Sequence, residues 1–162
     1  SITEGSALSD SGSLTFADVD QTNTATTSKT NVSASWSGGT LSGAQTTALY
    51  NAFSIAPPSF SSNSGTIAWN YSIAEADLNF LAQGQTVTLV FDVTVTDNNG
   101  GFDTEQVTIN ITGSNDSPVV DAIVGGTVAE AVNAAAQLVN ITGTVSFSDV
   151  DVTNTLTPSV VG

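Results

Sequence analysis

Alternation of apolar and polar residues dominates the chain, is clearest in "TVTLVFDVTVTDNNGGFDTEQVTINITG", Thr86 to Gly113, and leaves little choice of secondary structure there. Val87, Leu89, Phe91, Val93 and Val95 fall on one face, with Thr88, Val90, Asp92 and Thr94 on the other, which is the period of a strand with one face in a core. The stretch from Asp97 to Gly101 supplies Asn and Gly, residues that tolerate positive φ in a tight hairpin. On the way back Val107, Ile109 and Ile111 share a face, opposite Thr108, Asn110 and Thr112. The spacing predicts an antiparallel hairpin with one wet face.

Other segments follow the same rhythm. "GSLTFADVD" predicts a strand, "TATTSKTNVSASWS" another with a broken alternation, and Gly65 to Ile73 a third with Ile67, Trp69 and Tyr71 on one side. Two stretches predict short helices: Gly43 to Phe53, which brings Leu49 and Phe53 together, and Ala74 to Gly84, which brings Ala74, Leu78 and Leu81 together. Glu75 and Asp77 then stand at a helix N-terminus, where acids favour the dipole. Pro57-Pro58 and "SFSSNSG" mark a loop. Many short strands, turns between them and little helix point to an all-β, antiparallel β-sandwich with one or two short helices in its connections.

The polar residues are unusual. Fifteen acids face a single cation, Lys29, and there is no Arg, His, Cys or Met, so the formal net charge is −14. Such a charge works against the compact state, and dissolved cations are the natural neutraliser. Nucleic acid is excluded as a partner, because no basic residues exist to displace counterions from phosphates. Membrane insertion is not expected: no apolar stretch is long enough to span a bilayer, and no basic segment followed by an apolar one opens the chain. Without His or Cys, and with no sign of a cleft for a two-carboxylate mechanism, catalysis is not expected either.

The chain repeats itself. "GSLTFADVDQTNT", Gly12 to Thr24, returns as "GTVSFSDVDVTNT", Gly143 to Thr155, identical at eight of thirteen positions, and Glu4 in "SITEGSA" is echoed by Glu130 in "TVAEAVN". Pro118 in "GSNDSPVV" interrupts the preceding strand pattern. These features divide the chain into a complete unit at 1–113, a linker at 114–118 and the opening portion of a second copy at 119–162. The last portion is too small to bury a sandwich core alone, so it is expected to be partly mobile or to lean on a neighbouring surface, and the whole reads as a segment of something longer.

Residues i and i+2 of a strand point the same way, roughly 6.5–7 Å apart, so Asp18 and Asp20 aim at one patch, as do Asp149 and Asp151. Hard cations such as Ca²⁺ take six to eight oxygen ligands from carboxylates, amides and backbone. An Asp-x-Asp made twice in a cation-poor chain therefore points to a metal rather than to turn formation alone. Asn23 offers a neutral oxygen beside it. Asp97 at the hairpin turn and Asn115 and Asp116 in the linker are further candidate ligands, and Glu4 and Glu130 lie near the start of each copy. Asp92, Asp103 and Glu105 read as solvated outer-face residues.

The order "ITEG…GSLTFADVD…VTVTDNNGGFDTEQVTINITGSNDSP" resembles the VCBS-type repeats of large RTX-type bacterial adhesins secreted by type I systems. It is also similar to the cadherin layout of an early Glu, an Asp-x-Asp, a Gly-Gly turn and an Asn-Asp-x-Pro linker. The resemblance covers nearly all of 1–118 and the opening of the next copy. It implies an Ig/cadherin-like sandwich with Ca²⁺ held between successive units. By position it implies one junction built from Glu4, Asn115, Asp116, Asp149 and Asp151, with Asp18, Asp20 and Asp97 facing a preceding unit. The "GSNDSP" linker holds fewer acids than the cadherin one, which implies fewer ions per junction. The implied role is a calcium-stabilised extender repeat of a secreted or cell-surface adhesin, supporting adhesion or biofilm matrix, with adjacent repeats as partners. Two alternatives stand beside it. One is a carbohydrate-binding module using aromatics, for which Trp36 beside "SGG" is the better exposed candidate and Trp69 the likelier core residue. The other is a fibre subunit whose copies pair through strand edges.

Overall fold

The alternating stretch folds back on itself as an antiparallel hairpin of eleven residue pairs. The structure is a computed structural model that describes residues 1–19, 24–61, 64–127, 129, 141–151 and 153–159. In chain order it contains β1 (Ile2–Thr3), β2 (Ser9–Ala17), β3 (Ala25–Trp36), α1 (Gly43–Asn51), β4 (Phe53–Ile55), β5 (Ser59–Ser61), β6 (Ser64–Ser72), β7 (Thr86–Asp97), β8 (Phe102–Thr112), β9 (Val119–Val124) and β10 (Thr144–Ser148). One sheet runs β1-β8-β7-β3; the second runs β2-β6-β4, with β5 also on β6; β9 and β10 pair with each other and, among the described residues, with no other strand. Val87, Leu89, Phe91, Val107, Ile109 and Ile111 of the first sheet share one buried cluster with Phe53, Ile67 and Tyr71 of the second. The protein is therefore mostly β, with two sheets facing across a common core.

Most of the expected elements are present, and the departures have physical causes. The broken alternation of β3 is a bulge: Asn31 pairs with Phe91 and Ser33 with Val90, so Val32 is an extra residue and is left exposed. Before it the inward positions are odd-numbered, Thr27 and Lys29; after it they are even, Ala34 and Trp36. Helix α1 starts where a capping box starts it, with Ser42 Oγ accepting from Gln45 N and Gln45 Oε1 accepting from Ser42 N. The expected loop after Pro57-Pro58 contains β5, whose strand lies antiparallel to β6.

Two corrections are larger. Residues 74–84 are not a helix but a chain of tight turns, with a 3₁₀ turn at Glu75–Asp77 and further i→i+3 bonds from Leu81 N to Leu78 O and Gln85 N to Ala82 O. Tertiary backbone bonds replace the helical ones here: Gly84 N donates to Gly113 O and Gly113 N donates to Gln85 O. The loop lies so close over Gly113 that a Cβ there would stand 2.6 Å from Leu81 Cβ and from Ala82 O. Nor is the sandwich wholly antiparallel, because β1 pairs with β8 in parallel, Ile2 opposite Ile111 and Thr3 opposite Thr112. Ile2 is fully buried in the core, and the burial of that side chain holds the entering strand against β8.

The single cation sits inside this frame. Lys29 Nζ donates to the carbonyls of Tyr50 and Phe53, and lies 5.5 Å from the Phe53 ring centroid and 5.8 Å from that of Phe91. Burial lowers its pKa, while the carbonyls at the end of α1 keep the ammonium form favourable. Phe53 and Phe91 stack at 4.1 Å beneath it and join the two sheets. Phe91→Ala should therefore remove both a fully buried ring and the platform of the lysine, and lower the unfolding free energy by about 3–5 kcal/mol in urea titrations.

Candidate metal centre at the linker

The N-terminal strand delivers an acid to the lower pole of the sandwich. Glu4 N donates to Thr112 O at 3.0 Å, which continues the parallel pairing for one more residue, and Glu4 Oε2 accepts from Ser114 N at 2.9 Å. Gly5, at φ +73°, turns the chain away and donates its N–H to Glu75 Oε1 at 2.8 Å. Glu4 is only 2% exposed.

The second copy meets the linker at the same place. Asp116 N donates to Asp151 Oδ2 at 3.1 Å. Asp151, 3% exposed, is held from its own side by Asn154, whose Nδ2 donates to Asp151 Oδ2 at 2.6 Å and to Asp149 Oδ2 at 3.4 Å. Asp149 Oδ1 in turn accepts from Asp151 N. Asn115 is exposed and donates its side-chain N–H to Asp116 O, which leaves its amide oxygen outward.

These bonds leave an imbalance. Glu4 Oε1, Asp116 Oδ2 and Asp151 Oδ1 are all buried without a hydrogen-bond partner among the described residues. Buried carboxylate oxygens with neither proton donor nor counter-charge are costly. Glu4 shows the consequence: its pKa is raised to about 7, first by burial and then by the charges of Asp116, Glu75 and Asp151, against the lowering effect of the Ser114 N–H. Among the described residues no three acids already stand gathered as a metal-holding group. The donors here are all oxygen, the chemistry that hard divalent cations take.

Of the expected site residues, Glu4, Asn115, Asp116, Asp149 and Asp151 thus collect at this pole. Asp18 and Asp97 lie at the other end of the sandwich, a strand length away along β7, beside a cleft of about 300 Å³ that Phe16, Val19, Phe102 and Asp103 also line. There Asp97 Oδ1 accepts from Asn99 N and Gly101 N, so one of its oxygens forms the hairpin turn. Asp20 and Glu130 lie outside the described residues, as does Asn23. Glu75, expected as a helix-dipole acid, begins only a 3₁₀ turn, and its carboxylate accepts from Gly5 N instead. Trp36 is not a free stacking platform: it packs edge-on against Phe80 at 5.0 Å and donates to Gln85 Oε1.

No family model, curated protein or solved structure matches this chain.

The raised pKa of Glu4 carries a signed expectation. In the metal-free protein the folded state holds a proton that the unfolded state releases near pH 4.5, so stability falls as pH rises from about 4.5 to about 7 and then levels off. Melting curves in EDTA across that window should show this fall, and Glu4→Gln, which cannot ionise, should flatten it. A slope unchanged in Glu4→Gln would assign the fall to the other acids.

Proposed function

We propose that the chain is a calcium-stabilised extender repeat of the Ig/cadherin-like type, from a secreted or cell-surface bacterial adhesin, and that the ion sits where unit 1–113 meets the start of the next. One observation carries this: the three unpartnered carboxylate oxygens of Glu4, Asp116 and Asp151, contributed by the N-terminal strand, the linker and the second copy. Glu75, Asp149 and Asn115, on the neighbouring segments, are the further oxygen donors such an ion would recruit. A cation bridging these three segments would discharge the repulsion and lock the linker, which gives a rod its stiffness. Repeats joined this way hold an adhesive domain away from a surface.

The magnitudes suit an extracellular setting, where such modules bind calcium at about 10⁻⁴–10⁻³ M. At a hundredfold excess over the dissociation constant one site adds about 2.7 kcal/mol, a large share of a stability of about 5–15 kcal/mol.

Thermal unfolding of the full chain in EDTA, in millimolar Ca²⁺ and in Mg²⁺ at matched ionic strength tests this. Calcium should raise Tm by about 5–10 °C more than magnesium does, and Asp151→Asn with Glu4→Gln should remove the difference. Equal shifts in both salts would reduce the effect to screening of the −14 charge, and no shift would end the calcium proposal.

A second reading, association of copies, is favoured by the β9–β10 hairpin, which exposes Val119, Val120, Ile123, Val145 and Phe147. A mass by light scattering that rises with concentration, with or without calcium, would support it.

A further inference from the structure

The junction holds a contact that involves no charge. Gln85, in the turn before β7, has its amide fixed from the side of the first unit: Oε1 accepts from Trp36 Nε1 at 3.0 Å and from Ala82 N at 3.2 Å. A flipped amide would set its NH₂ against two N–H donors, so the orientation is determined by the network. The Nε2 group is thereby aimed outward, and it donates to Thr153 Oγ1 of the second copy at 2.6 Å. Gly38 leaves the room this requires, since a Cβ there would stand 2.6 Å from Gln85 Oε1. Trp36 is itself braced against Phe80.

Thr153 belongs to the recurring motif. It stands two residues beyond Asp151 in "DVDVTNT", and Thr22 holds the same place beyond Asp20 in "DVDQTNT". Asp-x-Asp alone would serve a cation; the Thr that follows it in both copies has no part in the charge balance.

We propose that Gln85 is a neutral docking residue for the threonine of a following repeat, and that it seats the Asp149–Asn154 segment on the first unit before any ion binds. The partner it fits is the Asp-x-Asp-x-Thr-Asn segment itself. Thr153 sets its position along the surface, Asn154 orients the two carboxylates, and the acids are presented already close to Asp116. Docking by Gln85 does not depend on the identity of the cation.

The chain has no native cysteine, so Thr108→Cys on β8 and Thr144→Cys on β10, both exposed, take spin labels uniquely. Their separation, read by double electron–electron resonance in excess EDTA, reports whether the second copy is docked. Thr153→Val keeps the shape of an exposed side chain and removes its hydroxyl, whereas Gln85→Ala would also strip Trp36 and Ala82 of their acceptor. Thr155→Val, exposed and two residues on, is the control. In EDTA the Thr153→Val chain should show an undocked population raised roughly fivefold, the size of one lost hydrogen bond, while Thr155→Val matches the parent. The indole N–H resonance of Trp36 should shift in Thr153→Val alone. A Thr153→Val distribution identical to the parent, or a parent already as broad as the variant, would overturn the proposal. Adding Ca²⁺ separates the two questions: a distribution that calcium leaves unchanged in both chains counts against the metal, while the EDTA comparison still decides the role of Gln85.

Discussion

Two residues of parallel pairing hold the junction together. Because Ile2 and Thr3 lie alongside Ile111 and Thr112, the next amide, that of Glu4, falls on Thr112 O and its carboxylate on the N–H of Ser114. The acid is therefore tied to the last strand of the unit and to the first residue of the linker together. Ile2, wholly buried, supplies the apolar force that keeps so short a strand in place. An edge strand of two residues has little ladder energy of its own, so the core and the linker share one anchor. Anything that loosens the entry of the chain loosens the seat of the following unit.

Charge is distributed with the same economy of contact. The one lysine is spent inside the sandwich, on the carbonyls of Tyr50 and Phe53 and on two aromatic faces, where it answers the end of α1 and not an acid. The acids are left to the two poles and the outer faces. At one pole lie Glu4, Glu75, Asp116, Asp149 and Asp151; at the other lie Asp18, Asp97 and Asp103. With no cationic side chain at either, whatever balances them comes from the solvent, and salt alone screens buried oxygens poorly. That separation is why the imbalance at Glu4 appears as a displaced pKa and not as an ion pair.

What could be read from the sequence follows from the period of each stretch. The hairpin of β7 and β8 was plain, because the alternating apolar positions Val87 to Val95 and Val107 to Ile111 flank an Asn-Gly turn. The strand β3 was legible only as a damaged pattern, since one bulge at Val32 moves the inward positions from odd to even. The 74–84 loop misled: Leu78 and Leu81 recur at a spacing that suits a helix, but the backbone bonds to Gly113 that prevent one come from a residue about thirty positions away. The acids near the linker were singled out by repetition and by resemblance, except Glu75, whose bond to Gly5 depends on the loop not being a helix. Gln85 left no trace at all, as an isolated amide between two turns carries no motif.

The recurring "DVD-x-TNT" segment now divides by chemistry. A carboxylate pair in a chain of this charge cannot hold a surface by itself, because every acid it meets repels it. Asp116 offers its backbone N–H, and that bond orients Asp151 without cancelling the charge. Asn154 ties the two aspartates to each other and so restricts where they point. Thr153 makes a favourable side-chain contact with the first unit that is indifferent to pH and to ions, through an amide whose other end is fixed on Trp36. A segment that must bring negative charge to negative charge therefore carries its neutral contact two residues away. The spacing sets the uncharged Gln85–Thr153 bond beside the acids, so that the contact and the charge are carried by different residues of one short segment.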